Sequence, residues 1–307
     1  MTKIYPVIFF TFKRSATTTQ FLELMKDAGV KKIYIFSDGP RNPIEKKATD
    51  LVKSIIMPFQ SANPSIEIIT NFSEDNLGLK NSIISGLNKV FLKEVAAIII
   101  EDDCLPHRDF FHFCNEMLDR YKNNSDVMSV NGTSVGGDSD YSYDFTRYAQ
   151  CWGWATWARS WKLYDAQMPD LGTKSWTQLA RNLWGNPVLR WYWNSMLQLV
   201  QNNRINTWDF QWSYAHFLYA GLAIAPSSNL IKNIGFDQSA TNTKTRSSVA
   251  NLETASLQFP LTHPPKVIEN MDITNSIENK FYNNPIAILG MLRQYFYWMV
   301  DRYAHRD

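Results

Sequence analysis

Short unbroken apolar runs alternate with stretches of helical spacing along the chain up to Gly132. The runs at residues 4–12, 32–37, 66–70, 95–100 and 127–130 are rich in branched and aromatic side chains and read as strands. Runs without a polar alternate belong to strands buried on both faces of a parallel sheet. Between them, Ser15 opens a helix carrying Phe21, Leu24 and Met25, and a second helix covers 44–56. Leu79, Ile83, Leu87, Val90 and Phe91 repeat at helical spacing, and 110–121 reads as a further helix. Strand and helix in turn predict an α/β fold, Rossmann-like and doubly wound, with a mostly parallel sheet.

After Gly132 the pattern changes. Residues 134–142 have loop composition and mark a boundary. Ten of the eleven tryptophans then fall between Trp152 and Trp212, so the second half is chemically unlike the first. Residues 237–251 are rich in Ser, Thr and Asn and read as a mobile loop. Near the end, Ile288, Leu292, Tyr295, Met299 and Tyr303 form an apolar stripe, with Gln294, Tyr297 and Asp301 on another face of the same helix. The organisation expected is a nucleotide-binding half (1–132), an acceptor half of the same domain (133–265) and a C-terminal extension with an amphipathic helix (266–307). That helix offers a surface for packing, a homodimer or peripheral membrane contact.

Composition narrows the function classes. A formal net charge of +2 lacks the basic footprint of a nucleic-acid binder. Cys104, Cys114 and Cys151 form neither a CxxC pair nor a disulfide framework, which fits a reducing, cytoplasmic setting. The start of the chain reads directly as a strand with no cleavable leader, and no apolar stretch reaches the roughly 18 residues of a membrane span.

The candidate chemistry starts at Glu101-Asp102-Asp103, three acids at the end of the apolar run 95–100. Adjacent carboxylates repel one another unless something positive sits among them. In open α/β sheets the carboxyl edge is where ligands bind. A parallel sheet would bring four clusters to that edge: Thr11-Phe12-Lys13-Arg14, Asp38, Asn76-Leu77-Gly78-Leu79-Lys80 and the acid triplet. Together they suit a nucleoside diphosphate. Asp38 and Asp102 would take the base and ribose, and the helix opening near Gly78 would offer backbone N–H groups. Thr11, Arg14 and Lys80 would face the nucleotide, and a Mg²⁺ or Mn²⁺ ion would sit on the phosphates. Plainer readings exist for each: Asp103 and Asp109 as helix caps, Asp38 as an Asp-Gly turn residue, the cations as surface charge.

The motifs in this order resemble the GT-A class of nucleotide-sugar-dependent glycosyltransferases. The Glu-Asp-Asp form is similar to the inverting N-acetylglucosaminyltransferase I group and to related bacterial polysaccharide enzymes. Trp152-Gly153-Trp154 and Trp208-Asp209 fall where that group keeps an acceptor-side Gly-Trp segment and a Trp-Asp motif. The resemblance covers residues 4–265. It implies Asp103 as the metal ligand, with Glu101 and Asp102 toward the ribose. It also implies Asp209 as the base that deprotonates an acceptor hydroxyl, and His263 as a late second metal ligand. Asp209 reads equally as the N-cap of a helix through Trp212. Bacterial relatives often carry histidine where this chain has Asn242, which weakens a metal or phosphate role there; the segment around it reads as a lid ordered by the donor.

For the tryptophans core packing is the plain reading. Trp152, Trp154 and Trp157 fit no single helical face, so an irregular segment is expected, with rings free to stack on a sugar and Gly153 letting a ligand approach the backbone. The implied activity is metal-dependent inverting transfer from a nucleotide sugar, UDP first, to a glycan or lipid-linked glycan in bacterial surface polysaccharide synthesis, at or near the inner face of the cell membrane. Alternatives are a nucleotidylyltransferase and a non-catalytic carbohydrate-binding protein. The first wants a glycine-rich loop after the first strand, where this chain has Lys13-Arg14-Ser15-Ala16-Thr17-Thr18.

Overall fold

The computed structural model describes residues 4–235 and 252–304. The polar stretch 237–251, with Phe236 and Asn242, lies outside the described residues, as do the side chains of Met299, Asp301 and Tyr303. Strand and helix alternate first: β1 (Val7–Thr11), α1 (Ser15–Asp27), β2 (Lys32–Ser37), α2 (Pro43–Ala62), β3 (Glu67–Phe72), α3 (Leu79–Phe91) and β4 (Ala96–Glu101). Then come β5 (Cys104–Pro106), α4 (Asp109–Arg120), β6 (Val127–Asn131), β7 (Tyr143–Thr146), β8 (Trp154–Trp157) and the short α5 (Ala158–Trp161). The chain continues through α6 (Lys174–Leu183), α7 (Pro187–Gln201), α8 (Asp209–Leu218), β9 (Leu222–Pro226) and β10 (Ile231–Asn233). It ends in α9 (Met271–Ile277), a π-helical turn (Glu278–Tyr282) and α10 (Pro285–Ala304).

The eight-stranded sheet has the order β3-β2-β1-β4-β8-β6-β9-β7. The first four strands are mutually parallel, as the two-sided apolar runs predict. Two strands are reversed: β8 lies antiparallel between β4 and β6, and β7 lies antiparallel to β9 at the edge. The sheet is therefore mixed, mostly parallel, within an α/β fold.

Alternate residues of β1 feed different cores, as the two-residue period of a strand requires. Val7 and Phe9 pack with Phe21, Val52 and Phe113 on one face. Ile8 and Phe10 pack on the other with Leu87, Trp154, Trp161, Trp208 and Trp212. A third core gathers Trp176, Trp184 and Trp193 with Ile273 and Ile277 between the later helices. Most of the tryptophans are thus core residues.

Trp154-Ala155-Thr156-Trp157 is a strand, which corrects the irregular segment expected there. In a strand the two rings point to opposite faces, and Trp157 donates its indole N–H to the Leu118 carbonyl at 3.1 Å. The C-terminal segment is tied to β7 and beyond by a bidentate pair. Arg147 Nε and Nη2 reach the two oxygens of Glu269 at 2.6 and 2.8 Å. Tyr148 adds a 2.8 Å hydrogen bond to Glu278. Along α10 the buried residues are Met291 and Trp298, with Tyr295 half-buried, while Leu292 is 41% exposed. Of the stripe read in the sequence, Ile288 and Tyr295 are half-buried, while Leu292 is exposed and Met291 is buried beside it. Ile286, Leu289, Phe296 and Tyr297 face solvent. No helix among the described residues is long and apolar enough to cross a membrane.

Candidate active site

Parallel pairing carries the ends of β1, β2, β3 and β4 to one edge, with Thr11 opposite Ser37 and Phe10 opposite Glu101. There Asp102 reaches back across β1. Its Oδ2 accepts from the Phe12 N–H at 2.8 Å and from the Thr11 hydroxyl at 3.2 Å, and its Oδ1 lies 3.7 Å from Arg14 Nε. Thr11, Arg14 and Asp102, singled out separately in the sequence, form one cluster.

Asp38 has a different occupation. Its carboxylate accepts from the N–H groups of Gly39, Leu77 and Gly78 and from the Asn76 amide, at 2.8–3.1 Å. It pins the loop before α3 to the end of β2, so the carboxylate is spent on scaffolding. Asn76 completes the clasp by donating to the Gly39 carbonyl at 2.7 Å. Lys80 is half-buried on the first turn of α3.

Asp103 stands where the chain turns into β5, and its carbonyl accepts from Ile234 N–H at 2.8 Å just beyond the antiparallel pairing of β5 with β10. A Cβ on Gly235 would lie 2.4 Å from Asp103 Oδ2, so glycine is what lets that segment close over the carboxylate. The reversed strand β8 then explains how the Gly-Trp segment arrives. Trp154 pairs with Ile99 and with Asn131, which leaves Gly153 and Trp152 at the carboxyl ends of β4 and β6. Gly153 is not open to a ligand: at φ +59° its empty side-chain position is filled by Ile231, 2.3 Å from where a Cβ would stand.

Asp209 is the first residue of α8, and Trp208 takes the N-cap position instead of Asp209. Its Oδ1 accepts from the Thr207 hydroxyl and from the Phe210 N–H. It lines a cavity of about 140 Å³ together with Gln150, Cys151, Trp152, Trp193, Phe281 and Tyr282. Trp154 and Trp208 are buried and stack on each other at 5.4 Å, so their rings serve packing. Trp152 is the half-buried ring of the segment.

The electrostatics join these groups. Burial is the largest influence raising Glu101, followed by the charges of Asp103, Asp102 and Asp209. Asp102 is raised to about 6 by burial, against the Phe12 N–H and Arg14. Burial also raises Asp103 and Asp209. The Cys151 thiol is pushed up by burial, then by Asp209 and Glu101, and stays protonated. Four carboxyls therefore resist ionisation together, as a site short of positive charge must.

His263 does not join them. Its Nδ1 lies 3.0 Å from the Tyr143 hydroxyl and its Nε2 3.4 Å from Glu116, so both ring nitrogens are engaged between β7 and α4. Sequence reasoning missed Gln150, Cys151, Trp193, Phe281 and Tyr282. The last two lie beyond residue 265, where no motif drew attention to them.

No known family model matches the chain, and no curated protein does. Among solved structures it is similar to the mannosyltransferase PcManGT from Pyrobaculum calidifontis in complex with GDP-Man and Mn²⁺, at 10% identity over 69% of each chain, with a TM-score of 0.40. It is similar to a UDP-glucose pyrophosphorylase complexed with UDP-glucose, at 10% identity over 52% of this chain and 79% of that one, with a TM-score of 0.34. A structure described as a putative glucose-1-phosphate thymidylyltransferase from Bacillus anthracis in complex with a sucrose gives 7% identity over 55% of this chain and 77% of that one, with a TM-score of 0.33. Likenesses this slight decide neither substrate nor reaction.

Proposed function

We propose that the chain is a metal-dependent, inverting glycosyltransferase of the GT-A type. It would move a sugar from a nucleoside diphosphate, UDP being the first candidate, to a hydroxyl of a glycan or glycolipid. One observation carries the reading. The reversed strand β8 leaves Trp152 at the carboxyl end of β4 beside the acid triplet, and Trp152 lines the same cavity as Asp209. A donor site and an acceptor base must adjoin for direct transfer.

On the donor side Thr11, Arg14, Asn76, Gly78, Lys80 and Asp102 surround the nucleotide, and Asp38 shapes that edge through its loop. The triplet suits a hard divalent cation: its donors are carboxylate oxygens, and their mutual repulsion calls for positive charge. No group of three ligating side chains is preassembled among the described residues. Mg²⁺ is commonly held by one or two carboxylates that share the ion with substrate phosphates and water. Asp103 would hold the ion, with Glu101 and Asp102 beside it. When bound, the ion neutralises charge on the departing diphosphate.

On the acceptor side, the hydroxyl oxygen forms its bond to the anomeric carbon as the bond to the diphosphate oxygen breaks. Asp209 takes the hydroxyl proton, and its raised pKa brings it closer to the range a general base needs. Nucleotidylyl transfer has less support, because α1 starts at Ser15 without a phosphate loop and Lys13 is engaged with Glu45 at 3.3 Å. A thermal-shift panel of nucleotide sugars with and without Mn²⁺ tests the reading, since a bound donor raises apparent stability by mass action. A rise that needs both sugar nucleotide and metal is expected; no rise with any nucleotide sugar would defeat it.

A further inference from the structure

The cavity beside Asp209 is closed by a part of the chain that carries none of the recognised motifs. Phe281 and Tyr282 reach it from the π-helical turn, an uncommon element that tends to occur at functional sites. The turn is held in place by the bond from Tyr148 to Glu278, and Glu269 is clamped by Arg147 just before α9. Two walls are aromatic, with Trp152 and Phe281 meeting edge to face at 5.7 Å. The polar groups are few. Gln150 donates to the Tyr282 hydroxyl at 3.3 Å, which leaves the phenol its own proton to donate. The lining residue Trp193, 1% exposed, adds a further aromatic surface.

Size narrows the ligand further. A cavity of about 150 Å³ holds one benzene-sized ring, and this one measures about 140 Å³. One six-membered ring with apolar faces and hydroxyl edges matches aromatic walls, the Tyr282 phenol and the Asp209 carboxylate. We infer that the cavity is the acceptor subsite for a single pyranose ring, and that Phe281 and Tyr282 bind that ring and select which sugar presents its hydroxyl to Asp209. The inference rests on the glycosyltransferase reading for the role of Asp209, but the pyranose site stands on the cavity itself.

Saturation-transfer NMR with a panel of methyl pyranosides, in the presence of UDP and Mn²⁺, tests it without turnover. At least one pyranoside should bind the wild type, and Phe281→Ala should weaken it by about tenfold, as loss of an aromatic contact implies. Tyr282→Phe, which keeps the ring, should change which epimer is preferred. In transfer assays both variants should raise the acceptor KM more than they lower kcat, with Mn²⁺-dependent nucleotide binding retained as the check on folding. Pyranoside binding that is lost in Phe281→Ala, in a protein with no transfer, would uphold the subsite and sink the glycosyltransferase reading. Transfer or binding indifferent to both substitutions would overturn the subsite, as would a wild type that binds no pyranoside.

Discussion

Asp38 and Gly78 are joined by a 3.0 Å hydrogen bond from the glycine N–H to the carboxylate, across a sequence gap of 40 residues. With the bonds from Gly39, Leu77 and Asn76 it makes Asp38 the clasp between β2 and the start of α3. Hydrogen bonds to a charged group contribute about 1.5–3 kcal/mol each and do not add simply. Asp38→Ala should therefore lower unfolding stability by about 3 kcal/mol and weaken Mn²⁺-dependent UDP binding through a loosened loop. Urea unfolding together with calorimetric titration checks both effects; a variant as stable as the wild type would remove the scaffolding role.

Glu101 gives a pH prediction of definite sign. Its carboxyl is raised well above the ordinary value of 4.5, so the folded chain keeps a proton that the unfolded chain has released. Stability from this group is present in acid and lost as pH rises through the folded value. Asp102 follows the same sense from 3.8 to about 6. In a chelator, Glu101→Gln should be more stable than the wild type at neutral pH and should approach it in acid. Adding Mn²⁺ should narrow the gap. A variant less stable than the wild type at every pH would contradict the shortage of positive charge at the edge.

His216 acts in the opposite sense. It is wholly buried, with Nδ1 3.1 Å from the Trp212 carbonyl and Nε2 2.9 Å from the Ser129 hydroxyl. The neutral ring satisfies both, donating to the carbonyl and accepting from the hydroxyl. Burial lowers its pKa from 6.5 to about 4. The unfolded chain binds the proton first, so stability falls as pH drops from 6.5 toward 4, by up to about 3 kcal/mol. The difference in unfolding free energy between wild type and His216→Gln should shrink across that window. A difference independent of pH would mean that the ring is not held neutral.

The edge that gathers the acids was legible because parallel strands announce themselves. Residues 32–37 read as a strand and are β2, and the apolar run before Glu101 ends at the sheet edge as expected. What was illegible depends on partners. β8 has four residues with a tryptophan on each face, so its two-sided burial resembles no periodic signal. Asp38 looked like a turn residue or a nucleotide contact because its four donors lie in its own turn and in a loop far along the chain. Phe281 and Tyr282 carried no signal at all, since their place is set by Arg147 and Tyr148 holding Glu269 and Glu278. His263 was singled out by chemistry and removed by position.

Arg147 and Glu269 offer a separate handle on the C-terminal segment. Their bidentate pair is largely buried, with 13% and 21% side-chain exposure. Breaking a buried pair by removing one partner costs about 3–5 kcal/mol, and partial exposure places this one near the lower end. Arg147→Ala should expose the segment around α9 to limited proteolysis before the sheet unfolds. Cleavage elsewhere first, or unchanged resistance, would count against the segment being held by this pair.

The most direct measurement is calorimetric titration of UDP and GDP into the wild type and Asp103→Ala, each with Mn²⁺ and with chelator. The wild type should bind a nucleoside diphosphate only when the metal is present, and Asp103→Ala should lose that binding while its thermal stability in chelator is undiminished. Equal affinity in chelator, or retained metal-dependent binding in Asp103→Ala, would contradict a nucleotide–metal site built on the acids at the end of β4.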